Sequence, residues 1–256
     1  MVELKQLTTG YTTSGKDKVI SKQLDAALSA GELTCLIGPN GAGKSTLLRT
    51  IAGFQPAISG EVILDGKSIS TYTHTELSRL IGIVLTDNTQ IRNLSVFDVV
   101  AMGRMPYTGF WGRLTKADRK IVSECLEMVG VSHLASQMID TLSDGERQKT
   151  MIAKSIAQQT PVILLDEPTA FLYYPNKVGI MMMLRSLAHD MGKTILLSIH
   201  DIDLALQTAD NIWMMDACSQ LTVGTPEQLC AQGTIQKEIC SEHISFDAVH
   251  RTFQVR

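Results

Sequence analysis

Long apolar runs are missing from this 256-residue chain. No stretch approaches the roughly 18 consecutive apolar residues that a membrane-crossing helix needs. The opening residues Met1-Val2-Glu3-Leu4-Lys5 lack the apolar core of a signal peptide. A role at a membrane therefore requires docking to something embedded there. A basic excess is missing too. The formal net charge is -3, which removes any general electrostatic pull toward nucleic acid and leaves only local patches open. Cysteine is sparse and unpatterned. Cys35, Cys125, Cys218, Cys230 and Cys240 are odd in number and form no C-x-x-C, so free thiols in a reducing compartment are expected rather than a disulfide framework. Internal repeats and low-complexity tracts are absent. The length and 44% hydrophobic content that remain suit one sizeable domain with a real core.

One stretch organises the rest. Gly38-Pro39-Asn40-Gly41-Ala42-Gly43-Lys44-Ser45-Thr46 has the pattern G-x-x-x-x-G-K-[ST]. Its glycines allow a tight reversal in which successive N–H groups point inward at phosphate oxygens. Lys44 can reach the β- and γ-phosphates, and the Ser45 hydroxyl can bind Mg²⁺. The apolar run Leu33–Ile37 reads as a buried strand feeding the loop, and Thr46–Ile51 as the helix leaving it. That helix adds the positive end of its dipole to the same anion. The motif in this setting predicts binding of a nucleoside triphosphate with Mg²⁺.

The remaining pattern is that of an α/β protein. Val2–Leu7, Lys18–Ile20 and Glu61–Leu64 read as strands of an antiparallel sheet, with Asp65-Gly66 a turn. Leu80–Leu85, Val162–Leu165 and Thr194–Ile199 are continuous apolar runs suited to a parallel sheet covered on both faces. Between them, about 87–159 reads as a helical insertion, with one helix over Val96–Met102 and another over Lys116–Val129. The latter has Thr115 and Asp118 as a capping box and Gly130 as its stop. Pro175–Asp190 and Asp201–Ala209 read as further helices, and Asn211–Met215 as a late strand. Met181-Met182-Met183 reads as core filler rather than a metal site, because other soft ligands are lacking. The tail from Thr225 carries no readable motif.

Two further stretches carry chemistry. The strand Val162–Leu165 ends in Asp166-Glu167. Asp166 is placed to bind Mg²⁺ through water, and Glu167 to polarise an attacking water. Taken alone, acids after a strand are an ordinary solvated loop; the phosphate loop upstream changes the balance. Leu142-Ser143-Asp144-Gly145-Glu146 heads a helix running toward Gln159. Ser143 and Glu146 form a capping box there, and Gly145 leaves the first turn unobstructed, which makes a second anion site. Tyr11, ahead of the phosphate loop, could stack on adenine, although alone it reads as a surface tyrosine.

The phosphate loop, Leu-Ser-Asp-Gly-Glu, Asp166-Glu167-Pro168-Thr169 and His200 after an apolar strand occur in the order of ATP-binding cassette ATPases, which this chain resembles over nearly its whole length. The resemblance implies a RecA-like P-loop NTPase core with an antiparallel β subdomain and a helical subdomain, occupying 1–225, and a short tail at 226–256 packed on the core. It implies a head-to-tail homodimer holding two ATP molecules with Mg²⁺. Each nucleotide would be gripped by Gly38, Asn40, Gly41, Gly43, Lys44, Ser45 and Thr46 of one copy, with Tyr11 against adenine, and by Ser143, Gly145 and Glu146 of the other. His200 matches the histidine that touches the γ-phosphate and keeps Glu167 and the water in register. Transmembrane permease subunits would be the partners, seated in the cleft beside about 86–95 on the cytoplasmic face of the membrane, with an external substrate-binding protein as indirect partner.

Two departures stand out. The family's glutamine after the strand at 81–85, a Mg²⁺ ligand and sensor of the partner, is Thr86 here; Gln90 substitutes only if the loop folds back. The family's Leu-Asp after Pro168-Thr169 is Leu172-Tyr173, which predicts slowed or poorly coupled hydrolysis. Ala101-Met102-Gly103-Arg104-Met105-Pro106-Tyr107 and Gly109-Phe110-Trp111-Gly112 resemble the ATPases of importers for iron chelates, haem and cobalamin. A cassette ATPase acting on nucleic acid is disfavoured by the single cassette and the charge. A non-enzymatic gated module, motivated by Thr86 and Tyr173, is disfavoured by Glu167 and His200.

Overall fold

The computed structural model describes residues 1–13, 16–85, 91–109, 111–170, 172–239, 243–247 and 250–255. Strands β1 (Val2–Thr13) and β2 (Lys16–Leu28) open the chain, followed by β3 (Leu33–Ile37) and helix α1 (Lys44–Ile51). Next come β4 (Ser59–Leu64), β5 (Lys67–Ser68), α2 (His74–Leu80) and β6 (Ile81–Val84). The helical block holds α3 (Val96–Ala101), α4 (Lys116–Met128) and α5 (Asp144–Ala157). Then follow β7 (Val162–Leu165), α6 (Tyr174–Met191), β8 (Thr194–Ser198), α7 (Ile202–Thr208), β9 (Asn211–Met215) and β10 (Leu221–Gly224). The C-terminal part forms α8 (Pro226–Ala231), α9 (Thr234–Ile239) and the hairpin β11 (Ile244–Asp247) and β12 (Thr252–Val255).

The six-stranded sheet runs β10-β9-β3-β8-β7-β6. All its pairs are parallel except β10 with β9. Its central strands β3, β7 and β8 are buried throughout because both faces are covered, and the period of two sorts their side chains. Leu33, Cys35, Ile37, Ile163, Leu165, Ile195 and Leu197 point to the core shared with α3–α6. Leu36, Val162, Leu164, Leu196 and Trp213 point to the opposite core, where α1 and the antiparallel sheet β2-β1-β4-β5 supply Leu47, Leu48, Ile51, Leu4, Leu7 and Leu24.

Three expectations needed correction. β1 and β2 are far longer than the short runs at Val2–Leu7 and Lys18–Ile20. Their pairing shifts register between Leu4 and Leu7 and again before Gly10, with Gln6 and Gln23 at positive φ of 48° and 53°. These bulges break the alternation that marks a strand in sequence. Second, α2 was missed. Leu77 is its one buried residue, so it carries no apolar stripe to read, although Thr73 and Glu76 form a complete capping box at its head. Leu80 ends that helix rather than starting β6. Third, only Met181 of the methionine run is fully buried, whereas Met182 is exposed. Consecutive helical residues are about 100° apart and cannot all face one core. The tail holds its own capping box, Thr225 with Gln228, and its hairpin reaches α7: Phe253 N–H donates to Asp203, and Arg251 to the Leu206 carbonyl. Cys35, Cys125, Cys218 and Cys230 are free thiols; Cys240 lies outside the described residues.

Candidate functional site

The strand order sets the site. β8 lies between β3 and β7, so the segments leaving the C-terminal ends of these three strands are neighbours. That edge of an open parallel sheet is where ligands bind.

After β3, the loop turns on Gly38, Gly41 and Gly43, with φ of 149°, 83° and 101°. A side chain at Gly38 would put its Cβ 2.4 Å from the Met215 carbonyl oxygen, and at Gly43 2.5 Å from Ile20 Cγ2. Glycine is required at both. α1 then starts with no side-chain cap and no acid in its first turn, so its N–H groups are available to an anion. Asn40 is exposed at the loop tip and Ser45 is half-buried on the first turn. The Lys44 ammonium lies over the loop, donating to the carbonyls of Gly38 (2.7 Å) and Pro39 (3.1 Å). Burial lowers its pKa, while the charges of Glu167 and Asp166 oppose that shift. The strand order and this electrostatic influence put both acids near Lys44. Tyr11 and Thr46 share a hydrogen bond of 2.6 Å between hydroxyls, which fixes the half-exposed Tyr11 beside α1.

The acids are held from β8. The register aligns Leu165 with Leu197, so Asp166 and Ser198 come next to each other. Ser198 is fully buried. Its hydroxyl donates to Asp166 Oδ1 (2.7 Å) and accepts the Glu167 N–H (2.8 Å). Glu167 occupies the left-handed region at φ 50°, where a non-glycine residue is uncommon. His200 Nε2 lies 2.6 Å from Glu167 Oε1, within hydrogen-bond distance. Sequence reasoning missed Ser198; its only local signal is a polar residue ending an apolar strand.

The Ser45 hydroxyl and Asp166 carboxylate are hard oxygen donors, the chemistry that Mg²⁺ takes. Among the described residues no three His, Cys, Asp or Glu cluster as a metal site, so a protein cage is not what this donor set offers; Mg²⁺ with two protein ligands keeps waters and phosphate oxygens. Thr86 and Gln90 lie outside the described residues.

Ser143, Gly145 and Glu146 sit elsewhere. The capping box at the head of α5 is complete: Ser143 N–H (3.0 Å) and hydroxyl (2.6 Å) both donate to the Glu146 carboxylate. These bonds, led by the Ser143 hydroxyl, hold the Glu146 pKa below its ordinary value. The stretch lines a cleft with Lys149, Tyr173 and Asn176, and no phosphate-loop residue lines it. One copy therefore brings Lys44, Asp166, Glu167 and His200 together and keeps Ser143–Glu146 on a separate surface.

A phosphate loop on β3 with paired acids on a nearby parallel strand defines the P-loop nucleotide-binding class. Comparison with known proteins narrows it. The ABC transporter family profile matches residues 21–170. An uncharacterized ABC transporter ATP-binding protein of Methanocaldococcus jannaschii is 36% identical over 256 residues, covering 100% of this chain and 87% of that protein. The ferric enterobactin transport ATP-binding protein FepC of Escherichia coli is 34% identical over 233 residues, covering 91% and 84%. Among solved structures, the dimeric post-hydrolysis state of the ATP-binding cassette MJ0796 bound to ADP and Pi superposes with a TM-score of 0.77 at 28% identity, covering 88% of this chain and 99% of that one. The chain belongs to the ABC transporter family and is an ATPase of that kind.

Proposed function

We propose that this ATPase energises an importer for an iron chelate, haem or cobalamin, and that it works as a head-to-tail homodimer beneath transmembrane permease subunits. The observation that carries the reading is the division of the site. Lys44, Asp166, Glu167 and His200 converge at three strand ends, while Ser143–Glu146 lines a cleft without any phosphate-loop residue. A second copy facing the first is the arrangement in which both halves meet one triphosphate. The MJ0796 cassette, dimeric with ADP and Pi, supports this.

In the proposed site the loop N–H groups and Lys44 bind the phosphates, and Tyr11 stands ready for adenine. Ser45 and Asp166 would hold Mg²⁺, which supplies positive charge to the triphosphate when bound. Glu167 accepts the proton of the attacking water, and His200 orients Glu167. For Ser143 to donate to the opposing phosphate, its bonds to Glu146 must be exchanged for bonds to the nucleotide. Closure is thus driven by the γ-phosphate and relaxes on hydrolysis.

The permease is assigned to the groove at the end of β6, lined by Phe54, His74, Leu77, Ile83, Met151 and Lys154. Burial lowers the Lys154 pKa, and no carboxylate lines the groove among the described residues. No helix of the described residues is long and apolar enough to cross a membrane; in the proposed system the chain docks on the cytoplasmic face through its permease. The iron-chelate class rests on the ferric enterobactin relative and on the segment 101–112. An external substrate-binding protein completes the proposed system. The test is reconstitution in vesicles with a cognate permease and substrate-binding protein. ATP-dependent uptake of a ferric chelate, haem or cobalamin, lost with Lys44→Ala, is expected. Uptake of none of the three by a complex that still hydrolyses ATP would overturn the solute assignment.

A further inference from the structure

Ser198 is a wholly buried hydroxyl that ends β8. It bonds across the sheet to two consecutive residues of the neighbouring strand end. It donates to the carboxylate of Asp166 at 2.7 Å and accepts the N–H of Glu167 at 2.8 Å. The two bonds act on different degrees of freedom. The first fixes one oxygen of Asp166 and leaves the carboxylate a defined orientation. The second clamps the peptide entering Glu167, at φ 50°, a conformation that persists only when its surroundings over-determine it. His200, two residues beyond Ser198, meets the Glu167 carboxylate from the same strand end at 2.6 Å.

We propose that Ser198 is a positioning residue that sets the Asp166 carboxylate for the metal and the Glu167 backbone for the attacking water through one shared hydroxyl. This rests on the roles assigned above to Asp166 and Glu167. The side chain is wholly buried and acts through its two neighbours. Outer-shell partners of this kind typically contribute 10- to 100-fold to metal affinity or activity.

The test compares Ser198→Ala, Ser198→Thr and Ser198→Val, with Glu167→Gln as reference. Thr and Val have the same shape, and only Thr carries the hydroxyl. ATP affinity measured in EDTA should stay within about twofold in the three Ser198 variants, because the phosphate loop is untouched. Turnover, and the affinity of the ADP complex for Mn²⁺ read by electron paramagnetic resonance, should fall about 10- to 100-fold in Ser198→Ala and Ser198→Val. Ser198→Thr should recover both. Wild-type turnover and Mn²⁺ affinity in Ser198→Ala would overturn the inference, as would equal loss in folded Thr and Val variants. Undiminished hydrolysis by Glu167→Gln would instead remove the reading of the acids on which it rests.

Discussion

Arg104 offers the most quantitative handle on how the helical block is held together. Its side chain is buried. Its Nε donates to Asp118 Oδ1 at 2.9 Å, and its Nη1 donates to the Ala157 carbonyl and to Gln159 Oε1, each at 2.8 Å. The guanidinium also lies 4.1 Å from the centre of the Tyr107 ring. The residue therefore ties the segment before α4 to α4 itself and to the end of α5, the helix headed by Ser143. Arg104→Met keeps much of the apolar stem but leaves Asp118 and the Ala157 carbonyl without this partner. Breaking a buried pair in this way costs about 3–5 kcal/mol. In a chain of this size that corresponds to a fall in Tm of roughly 6–20 °C. Calorimetry or circular dichroism would read it. Arg104→Met with Asp118→Leu together should be less damaging than the sum, because no charge is then stranded. A fall under about 2 °C, or strict additivity of the two changes, would refute the reasoning.

Three further outcomes are expected. Tyr173 stands exposed in the cleft beside Ser143, in place of an aspartate. Tyr173→Asp should raise ATP turnover by about fivefold, the equivalent of about 1 kcal/mol in the barrier, and equal rates in a phosphate-release assay would remove the idea. Gly38→Ala should weaken ATP binding by about tenfold or more, because its Cβ would meet the Met215 backbone at a φ reserved for glycine; titration with a fluorescent nucleotide checks this. Hydrogen bonds from Thr115, and then from Arg104, hold the Asp118 carboxyl below the ordinary 3.8. The unfolded chain thus binds this proton more readily, so the stabilisation is complete above about pH 5 and drains away as pH falls through 3.8 toward the lower folded value. The Tm advantage of the wild type over Asp118→Asn should shrink across that window, and an advantage independent of pH would contradict the assignment.

What was readable in the sequence was local. The phosphate loop, the acids after β7 and the capping box at Ser143 are each contiguous, and their spacing carries their geometry. The apolar runs of β3, β7 and β8 declared a sheet covered on both faces. Ser198 was not readable, because its meaning lies in the register of β8 on β7, a tertiary fact with no spacing rule. The length of β1 and β2 was hidden by bulges that break alternation, and α2 by the lack of an apolar stripe, since Leu77 is its one buried residue. The turned-back Lys44 and the left-handed Glu167 are likewise properties of the assembled sheet edge. Their residue types were plain, but their conformations were not.

The central claim is that one triphosphate joins two copies of this chain. Light scattering of the Glu167→Gln protein, with and without Mg-ATP, tests it most directly. The account predicts that ATP doubles the scattering mass from the 28.0 kDa of one chain and that Ser143→Arg abolishes the doubling while ATP still binds. A single-chain mass with ATP fully bound, alone and in the permease complex, would contradict it.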